Sequence, residues 1–328
     1  MIEHKNIATK LLNLIDNYHL DEKDITLFHT SVTFDASLEE YLMPLLVGAK
    51  MIIPSIEFSY SSKDLIDIIE SYKISFISMV PTILGLLFNY DFDVKALNSL
   101  RIIASGGEAL DSKMASIILR KMKATLYNMY GPTEATIDAT MWNCSLATRK
   151  ISIGKPLANV QLFILDDYYQ PVPIGVSGEL YIGGVGVARG YLNRPDLTAE
   201  RFIANPFVSE ADKEAGKNLR LYRTGDLVRY LADGNIEYLS RIDHQVKIRG
   251  FRIECGEIEN NFRQHAMLNE AVVIAREDEP GEKRLVAYVV PKAGVLDEAK
   301  TGELLEALRA QCAAQLPDYM VPSGLCRR

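Results

Sequence analysis

The stretch LYRTGDLVRYLADGNIEYLSRIDHQVKIRGFRIECGEIE, residues 221–259, decides the fold of this chain. Two apolar-rich runs, residues 227–231 and 236–239, flank the tetrapeptide Ala-Asp-Gly-Asn, which is a strong hairpin signal. Further on, apolar residues alternate with charged ones until Gly250, where the alternation shifts by one position and indicates a bulge or a turn. On composition alone, the stretch is equally typical of a solvent-exposed basic hairpin.

Strand and helix patterns alternate upstream of this stretch. Ser61 and Ser62 can cap a helix with one apolar face, and Asp111 can open another helix between the strand-like runs SLRIIAS and ATLYNMY. This alternation predicts an α/β fold with a largely parallel sheet. From about residue 151 the pattern is mostly β, and after Asp243 it indicates a small α+β segment. We therefore expect two domains, residues 1–242 and 243–328.

Composition excludes several classes of function. The net charge of −7, without long basic runs, argues against nucleic-acid binding. The chain has no signal-peptide pattern and no run of about 18 apolar residues, so we expect no membrane association and a cytoplasmic protein. The four cysteines are widely spaced and do not form a metal-binding pattern.

Six sequence blocks occur in a characteristic order along nearly the whole chain. They are FDAS at 34–37, NMYGPTEAT at 128–136, GELYIGGVGVARGYL at 178–192, YRTGDL at 222–227, RIDHQVKIRGFRIE with GEIE at 241–259, and LPDYMVP at 316–322. Together they resemble the adenylate-forming enzymes, most closely the AMP-binding adenylation domains of nonribosomal peptide synthetases. The resemblance implies a large adenylate-forming body, with parallel-rich sheets and a β-rich subdomain, and an incomplete C-terminal lid.

The resemblance also implies a reaction. Such domains use ATP and Mg²⁺ to convert an amino acid into aminoacyl-AMP. They then transfer it to the phosphopantetheine thiol of a peptidyl carrier domain, next to a condensation domain of the same synthetase. The expected role is therefore that of a ligase in secondary metabolism, such as antibiotic biosynthesis. The open alternatives are a stand-alone acyl-CoA or aryl-acid ligase, and a non-catalytic nucleotide-binding remnant.

Matching positions suggest a nucleotide site. The resemblance places Tyr130 on adenine, Thr133 on a phosphate oxygen, Glu134 on magnesium, Asp226 on the ribose hydroxyls and Arg241 on ribose or phosphate. Thr133, Glu134 and Arg241 form the expected catalytic set. The remaining expected positions are Gly107, Glu108 and Gly131 for the nucleotide, and Asp243 for the hinge. Taken singly, Asp226 is more typical of a turn, and Gly107 with Glu108 is equally typical of an ordinary βα loop.

Asp35 matches the family position that binds the α-ammonium of an amino acid. The rest of the implied substrate pocket is Ala36, Glu39, Ser78, Ile103, Ser105, Met129, Ile137 and Asp138. Because two buried carboxylates, Glu39 and Asp138, need a cation, we expect a basic substrate. Ornithine or lysine comes first, then arginine or diaminobutyrate. The alternative is that Glu39 points into solvent.

Two expected elements do not occur in this sequence. It starts after the place of the family's phosphate loop, rich in Gly and Ser or Thr, and it ends before the segment with the catalytic lysine. Because the loss of one preorganised charge donor costs roughly 10²–10³ in rate, this polypeptide alone is expected to be a weak or inactive catalyst.

Overall fold

The computed structural model describes residues 1–55, 58, 61–89, 93–146, 150–243, 245–278, 283–292 and 298–327, with only the backbone of residue 89 and of residues 298–300. The chain divides into two compact units, Met1–Ile242 and Asp243–Arg328. Each unit is described by itself.

The first unit contains the helices α1 to α7. Their bounds are α1 His4–Tyr18, α2 Ser37–Val47, α3 Ser62–Tyr72, α4 Pro81–Asn89, α5 Ser112–Lys121, α6 Pro195–Arg201 and α7 Glu210–Glu214. The hydroxyl of Ser61 accepts the N–H of Asp64 at 3.1 Å, and Asp111 accepts the N–H groups of Lys113 and Met114. These caps confirm the predicted starts of α3 and α5, since they satisfy N–H groups that the helix itself leaves free.

A sheet of seven strands forms the centre of this unit in the described part of the chain. Its strands are β1 Ile25–Leu27, β2 Lys50–Ile52, β3 Phe76–Met79, β4 Ile102–Ser105, β5 Thr125–Tyr130, β6 Thr140–Asn143 and β7 Lys155–Pro156. They lie in the order β2-β1-β3-β4-β5-β6-β7, parallel from β2 to β5 and antiparallel beyond. The predicted α/β fold with a largely parallel sheet is therefore confirmed.

Apolar side chains cover both faces of this sheet. Ile77 and Ile103 pack in one buried cluster with residues of α3 to α5, whereas Phe76 and Ala104 pack in another with residues of α1 and α2. Successive residues of a strand point to opposite faces, so the two clusters lie on opposite sides of the sheet. The second cluster brings α1 and α2 beside the end of β5.

A second, antiparallel sheet completes the first unit. Its strands are β8 Val160–Leu165, β9 Gly178–Gly184, β10 Phe202–Ala204, β11 Arg220–Tyr230 and β12 Ile236–Arg241, in the order β10-β11-β9-β8 with β12 paired to β11. The β11–β12 pair is the hairpin that the sequence predicts. Its register shifts between Leu227 and Val228, and the β9 pairing shifts between Arg223 and Leu227.

The second unit is a small α+β body. Its elements are β13 Gln245–Ile248, β14 Phe251–Glu254, α8 Cys255–Arg263, β15 Leu268–Glu277, β16 Lys283–Pro291, α9 Glu298–Gln315 and β17 Gly324–Arg327. Arg249 and Gly250 both have positive φ, 53° and 80°, and join β13 to β14. Such a pair is typical of a two-residue hairpin turn, so of the two predicted possibilities at Gly250 the turn is the one formed.

No helix in the described ranges combines the length and the apolar composition that crossing a membrane requires.

Candidate functional site

Asp226 lies at the centre of a buried polar cluster. The hydroxyl of Tyr130, at the end of β5, donates to Asp226 Oδ2, and Arg241 Nη1, at the end of β12, donates to Asp226 Oδ1 at 2.9 Å. Only 5% of Asp226 is exposed. Burial and the Asp226 carboxylate raise the pKa of the Tyr130 hydroxyl well above its usual range. Three residues predicted for the nucleotide site are thus brought together.

The Thr-Gly-Asp sequence explains how Asp226 reaches Tyr130. The Thr224 hydroxyl donates to the carbonyl of Leu180 at 2.7 Å and accepts the N–H of Asp226 at 3.0 Å. Gly225 has a φ of 75°, and its N–H donates to Glu179 Oε1 at 3.0 Å. These contacts replace the backbone pairing that is interrupted between β9 and β11. An irregularity of this kind changes the direction of a strand side chain, here that of Asp226.

Thr133 and Glu134 lie in a short 3₁₀ helix, Thr133–Ala135, that follows β5. Glu134 is 9% exposed, and its Oε1 accepts the hydroxyl of Tyr191 at 2.7 Å. Burial and the Glu134 charge raise the pKa of Tyr191. The described residues contain no cluster of three or more metal-binding side chains. The Glu134 carboxylate beside the exposed Thr133 would suit Mg²⁺ that arrives with ATP, because Mg²⁺ takes most of its other ligands from phosphates and water.

The loop after β4 holds Gly107 and Glu108. Glu108 Oε2 accepts the N–H of Thr82 at 3.1 Å and its hydroxyl at 2.6 Å, so this carboxylate caps the start of α4. Gly107 has a φ of 80°, a conformation that favours glycine. The backbone of this loop, rather than the Glu108 side chain, is what a nucleotide could approach.

Asp35 lines a cavity of about 300 Å³ together with Val32, Thr33, Phe34, Leu38 and Thr133. Its Oδ1 accepts the N–H of Ala36 at 2.9 Å. Its Oδ2 is buried and has no hydrogen-bond partner among the residues that the structure describes. Because a buried carboxylate oxygen without a partner is costly, this atom is suited to a ligand that donates hydrogen bonds.

Glu39 and Asp138 are both buried, with 2% and 7% exposure. Glu39 therefore does not face solvent. Burial, the charge of Asp138, a hydrogen bond with Asp138 and the charge of Asp35 raise the pKa of Glu39 well above its usual range, and Lys10 opposes this shift. Glu39 Oε1 also lacks a hydrogen-bond partner within the described part of the chain. The structure thus brings the two predicted acidic residues together.

Gly131 allows Asp138 to lie there. A side-chain carbon on Gly131 would come within 2.3 Å of the Ile137 carbonyl oxygen and 2.5 Å of Asp138 Cα. The N–H of Ala139 donates to the Tyr130 carbonyl at 2.7 Å, which closes the segment back onto the end of β5. Gly131 thus holds Asp138 in this position by close packing of backbone.

The other predicted pocket residues divide between the two faces of the sheet. Met129 packs in the cluster beside α1 and α2, and its sulfur accepts the Tyr18 hydroxyl at 3.4 Å. Ile103 packs in the opposite cluster, so the described contacts do not bring it to Met129. Of the remaining pocket positions, Ala36 is the N-cap residue of α2, and Ser78 lies on β3 with its carbonyl 2.9 Å from the His29 ring. Ser105 ends β4 with a buried hydroxyl, and Ile137 precedes Asp138. The predicted hinge residue, Asp243, opens the second unit and accepts the N–H of Gln245 at 3.2 Å.

Sequence reasoning missed two residues of α1. Lys10 is 4% exposed and Tyr18 is 1% exposed, and both interact electrostatically with Glu39 and Asp138. The available signal is spacing, because Asn6, Lys10, Leu14 and Tyr18 repeat every four residues and share one helix face.

Family models match both parts of the chain. The model described as AMP-binding enzyme matches residues 1–192, and that described as AMP-binding enzyme C-terminal domain matches residues 257–327. These matches confirm the resemblance inferred from the sequence blocks.

Relatives and solved structures agree with this match. The chain is 45% identical over 99% of its length to one of the linear gramicidin synthase proteins of Brevibacillus parabrevis, and 42% identical over 99% to a dimodular nonribosomal peptide synthase of Bacillus subtilis. It spans only 4% and 13% of those proteins. An artificially fused adenylation–PCP di-domain from Klebsiella oxytoca matches 99% of the chain and 62% of its own, with TM-score 0.81 and 29% identity. A four-domain nonribosomal peptide synthetase bound to AMP and glycine matches with TM-score 0.67 and 36% identity, covering 100% of this chain and 23% of its own.

Proposed function

Because this chain belongs to the AMP-binding enzyme family of adenylate-forming ligases, we propose that it activates an amino acid as aminoacyl-AMP and that ornithine or lysine is the preferred substrate. From the synthetase relatives we further propose transfer of the aminoacyl group to the phosphopantetheine thiol of a peptidyl carrier domain, with a condensation domain as neighbour. Residues 1–242 would then be part of the larger adenylation subdomain and residues 243–328 part of the lid, with Asp243 as the hinge.

One observation carries the proposal. Asp35, whose Oδ2 has no hydrogen-bond partner within the described ranges, and Thr133 line the same cavity. An α-ammonium on Asp35 and a phosphate oxygen on Thr133 would bring the two reactants together. Holding reactants close in this way removes much of the entropy cost of a bimolecular step.

The chemistry assigns a task to each group. An oxygen of the amino-acid carboxylate attacks the α-phosphorus of ATP, an O–P bond forms, and the bond to pyrophosphate breaks. Thr133 would donate to a phosphate oxygen, Glu134 would hold the magnesium that accompanies ATP and neutralises phosphate charge, and Arg241 would balance negative charge. Asp226 accepts the ribose hydroxyls, and the ring of Tyr130 contacts adenine.

The acidic pair supports a basic substrate. Glu39 and Asp138 are buried together, and a substrate ammonium between them would make charge-assisted hydrogen bonds. Each such bond contributes on the order of 1.5–3 kcal/mol, which is enough to reject a neutral side chain of the same shape.

Binding of unreactive aminoacyl-adenylate mimics tests this proposal. Calorimetry would compare lysyl, ornithyl and norleucyl sulfamoyl adenosine, since norleucine has an uncharged side chain of similar shape. We expect the basic mimics to bind at least about tenfold more tightly. Glu39→Gln should remove most of this preference, and Glu22→Gln, which changes an exposed carboxylate, should not.

The outcomes separate the parts of the proposal. Equal or tighter binding of the norleucyl mimic would contradict the proposed basic substrate but not the proposed amino-acid activation. Tighter binding of a mimic without an α-amine would favour an acyl or aryl-acid ligase and contradict the role of Asp35. Amino-acid-dependent ATP–pyrophosphate exchange, measured on the whole protein that contains this sequence, tests turnover.

A further inference from the structure

The inner face of α1 carries one charged side chain. The buried residues Asn6, Lys10, Leu14 and Tyr18 follow one another at four-residue spacing. Lys10 is 4% exposed, and a buried lysine is rare unless a counter-charge compensates it. The Lys10 ammonium therefore has to be explained by groups on the neighbouring elements.

The neighbouring element is α2, which carries Glu39. Leu11 and Leu14 of α1 share a buried cluster with Met43, which lies one turn after Glu39 on the buried side of α2. Tyr18 also reaches the pocket residue Met129. The inner face of α1 thus lies against the elements that hold the acidic pair.

The charged groups in this region can be named from each side. Lys10 interacts electrostatically with Asp138 and Glu39, and Glu39 interacts electrostatically with Asp138, Asp35 and Lys10. The Tyr18 hydroxyl interacts electrostatically with the same two carboxylates and with the Tyr127 hydroxyl. Burial lowers the pKa of Lys10, and the charges of Asp138 and Glu39 oppose that shift.

We infer that Lys10 is the resident counter-ion of Glu39 and Asp138, and that its charge sets how strongly the pocket prefers a cationic over a neutral substrate side chain. This inference rests on the amino-acid activation proposed above. It makes Lys10 a positioning residue that acts through the two carboxylates.

The charge balance gives the direction of the effect. Burial and the charge of Asp138 raise the pKa of Glu39 and so favour its protonated form, which leaves the Lys10 ammonium opposite one carboxylate. When a substrate ammonium enters, Glu39 loses that proton to solvent, and one new cation is matched by one new anion. Removal of the Lys10 charge leaves the empty pocket negative and makes this proton release unnecessary.

The test measures the ratio of affinities for lysyl and norleucyl sulfamoyl adenosine in a set of variants. Lys10→Met, which keeps the length of the side chain, should raise this ratio by about tenfold, the effect of one nearby unit charge. Glu39→Gln should lower it, because Lys10 then cancels the only remaining carboxylate of the pair. The double variant Lys10→Met with Glu39→Gln should restore it, because Asp138 is again unopposed.

Restoration of the affinity ratio in the double variant is the decisive result. If Lys10 only packed, its replacement would lower the ratio or leave it unchanged. Lys10→Arg should keep the wild-type ratio. Lys5→Met, which removes an exposed lysine from the same helix, should also keep it. Equal ratios in the Glu39→Gln variant and in the double variant would overturn the inference.

A measurement without ligand keeps the inference testable if no mimic binds. Wild-type stability should fall as pH rises, up to the pKa of Glu39 in the folded protein. In Lys10→Met this fall should extend to higher pH, because the Glu39 carboxylate loses a favourable charge. An unchanged pH profile in urea unfolding would contradict the role of Lys10, whereas absence of mimic binding alone would contradict only the proposed function.

Discussion

At the scale of single residues, both oxygens of Asp226 are engaged before any nucleotide binds. Tyr130 donates to one and Arg241 to the other. In the proposed nucleotide site, ribose hydroxyls would therefore share or replace these donors when a nucleotide reaches Asp226. The phenol and the guanidinium hold the carboxylate in place until then, which is a form of preorganisation.

Asp226→Asn should weaken AMP binding by roughly tenfold to a hundredfold, because a hydrogen bond to a charged group contributes about 1.5–3 kcal/mol. It also removes the negative charge opposite the half-buried Arg241, so stability should fall. Calorimetric titration with AMP and urea unfolding measure the two effects. Asp233→Asn, in the exposed turn of the β11–β12 hairpin, is the matched control and should change neither.

Glu39 should make stability depend on pH. Its pKa in the folded protein is raised well above its ordinary value of 4.5, so the folded state keeps this proton when the unfolded chain has lost it. The contribution is complete below pH 4.5 and declines by about 1.4 kcal/mol per pH unit up to the folded-state pKa. Glu39→Gln should remove this decline. A profile of unfolding free energy with the same slope in the variant would contradict the assignment.

The sequence predicts some of these residues and not others. Asp226 and Arg241 fall in recognisable blocks, and the structure joins them. Lys10 lies in no such block, and an isolated lysine in a helix is normally solvent-exposed. Lys10 is buried because α1 packs against α2. The sequence pattern of α1 does not show which element packs against it.

At the scale of elements, the segment from Gly131 to Ala139 positions Asp138 beside Glu39. Thr136 and Ile137 have φ values of 64° and 65°, which β-branched residues rarely adopt. Two such residues in succession store strain beside the proposed site, as is common in functional segments. No propensity predicts this conformation, because it opposes the preferences of both residues.

Gly131→Ala should strongly disturb this segment. The added carbon would come within 2.3 Å of a backbone oxygen, so the segment has to move, and Asp138 with it. We expect a loss of roughly 1–3 kcal/mol of stability together with loss of the preference for basic mimics. Gly256→Ala, in α8 with open space around it, is the control and should be neutral or stabilising.

The sequence predicts regular elements better than their connections. The β11–β12 hairpin and the alternating strands and helices follow from hydrophobic periodicity. At Gly250 the pattern allows both a bulge and a turn, and only the positive φ of both Arg249 and Gly250 distinguishes them.

At the scale of the whole molecule, the chain consists of two compact units with separate cores. Tyr130, Asp226 and Arg241 all belong to the first unit, whereas Phe262 is fully buried in the core of the second. We expect two calorimetric transitions, since separate cores need not unfold together.

AMP should raise the temperature of one transition. Phe262→Ala should lower the temperature of the other transition, because truncating a buried phenylalanine typically costs about 3–5 kcal/mol of stability. A single transition that responds to both changes would show that the two units unfold as one.

The buried face of α1 has a consequence for protein engineering. Exchange of the residues on the pocket wall is the obvious route to a new substrate, but the wall does not include α1. A graft of Glu39 and Asp138 into another scaffold would transfer two acids without the buried lysine that interacts with them. Redesign of the proposed pocket therefore has to change position 10 of the first helix together with the residues of the wall.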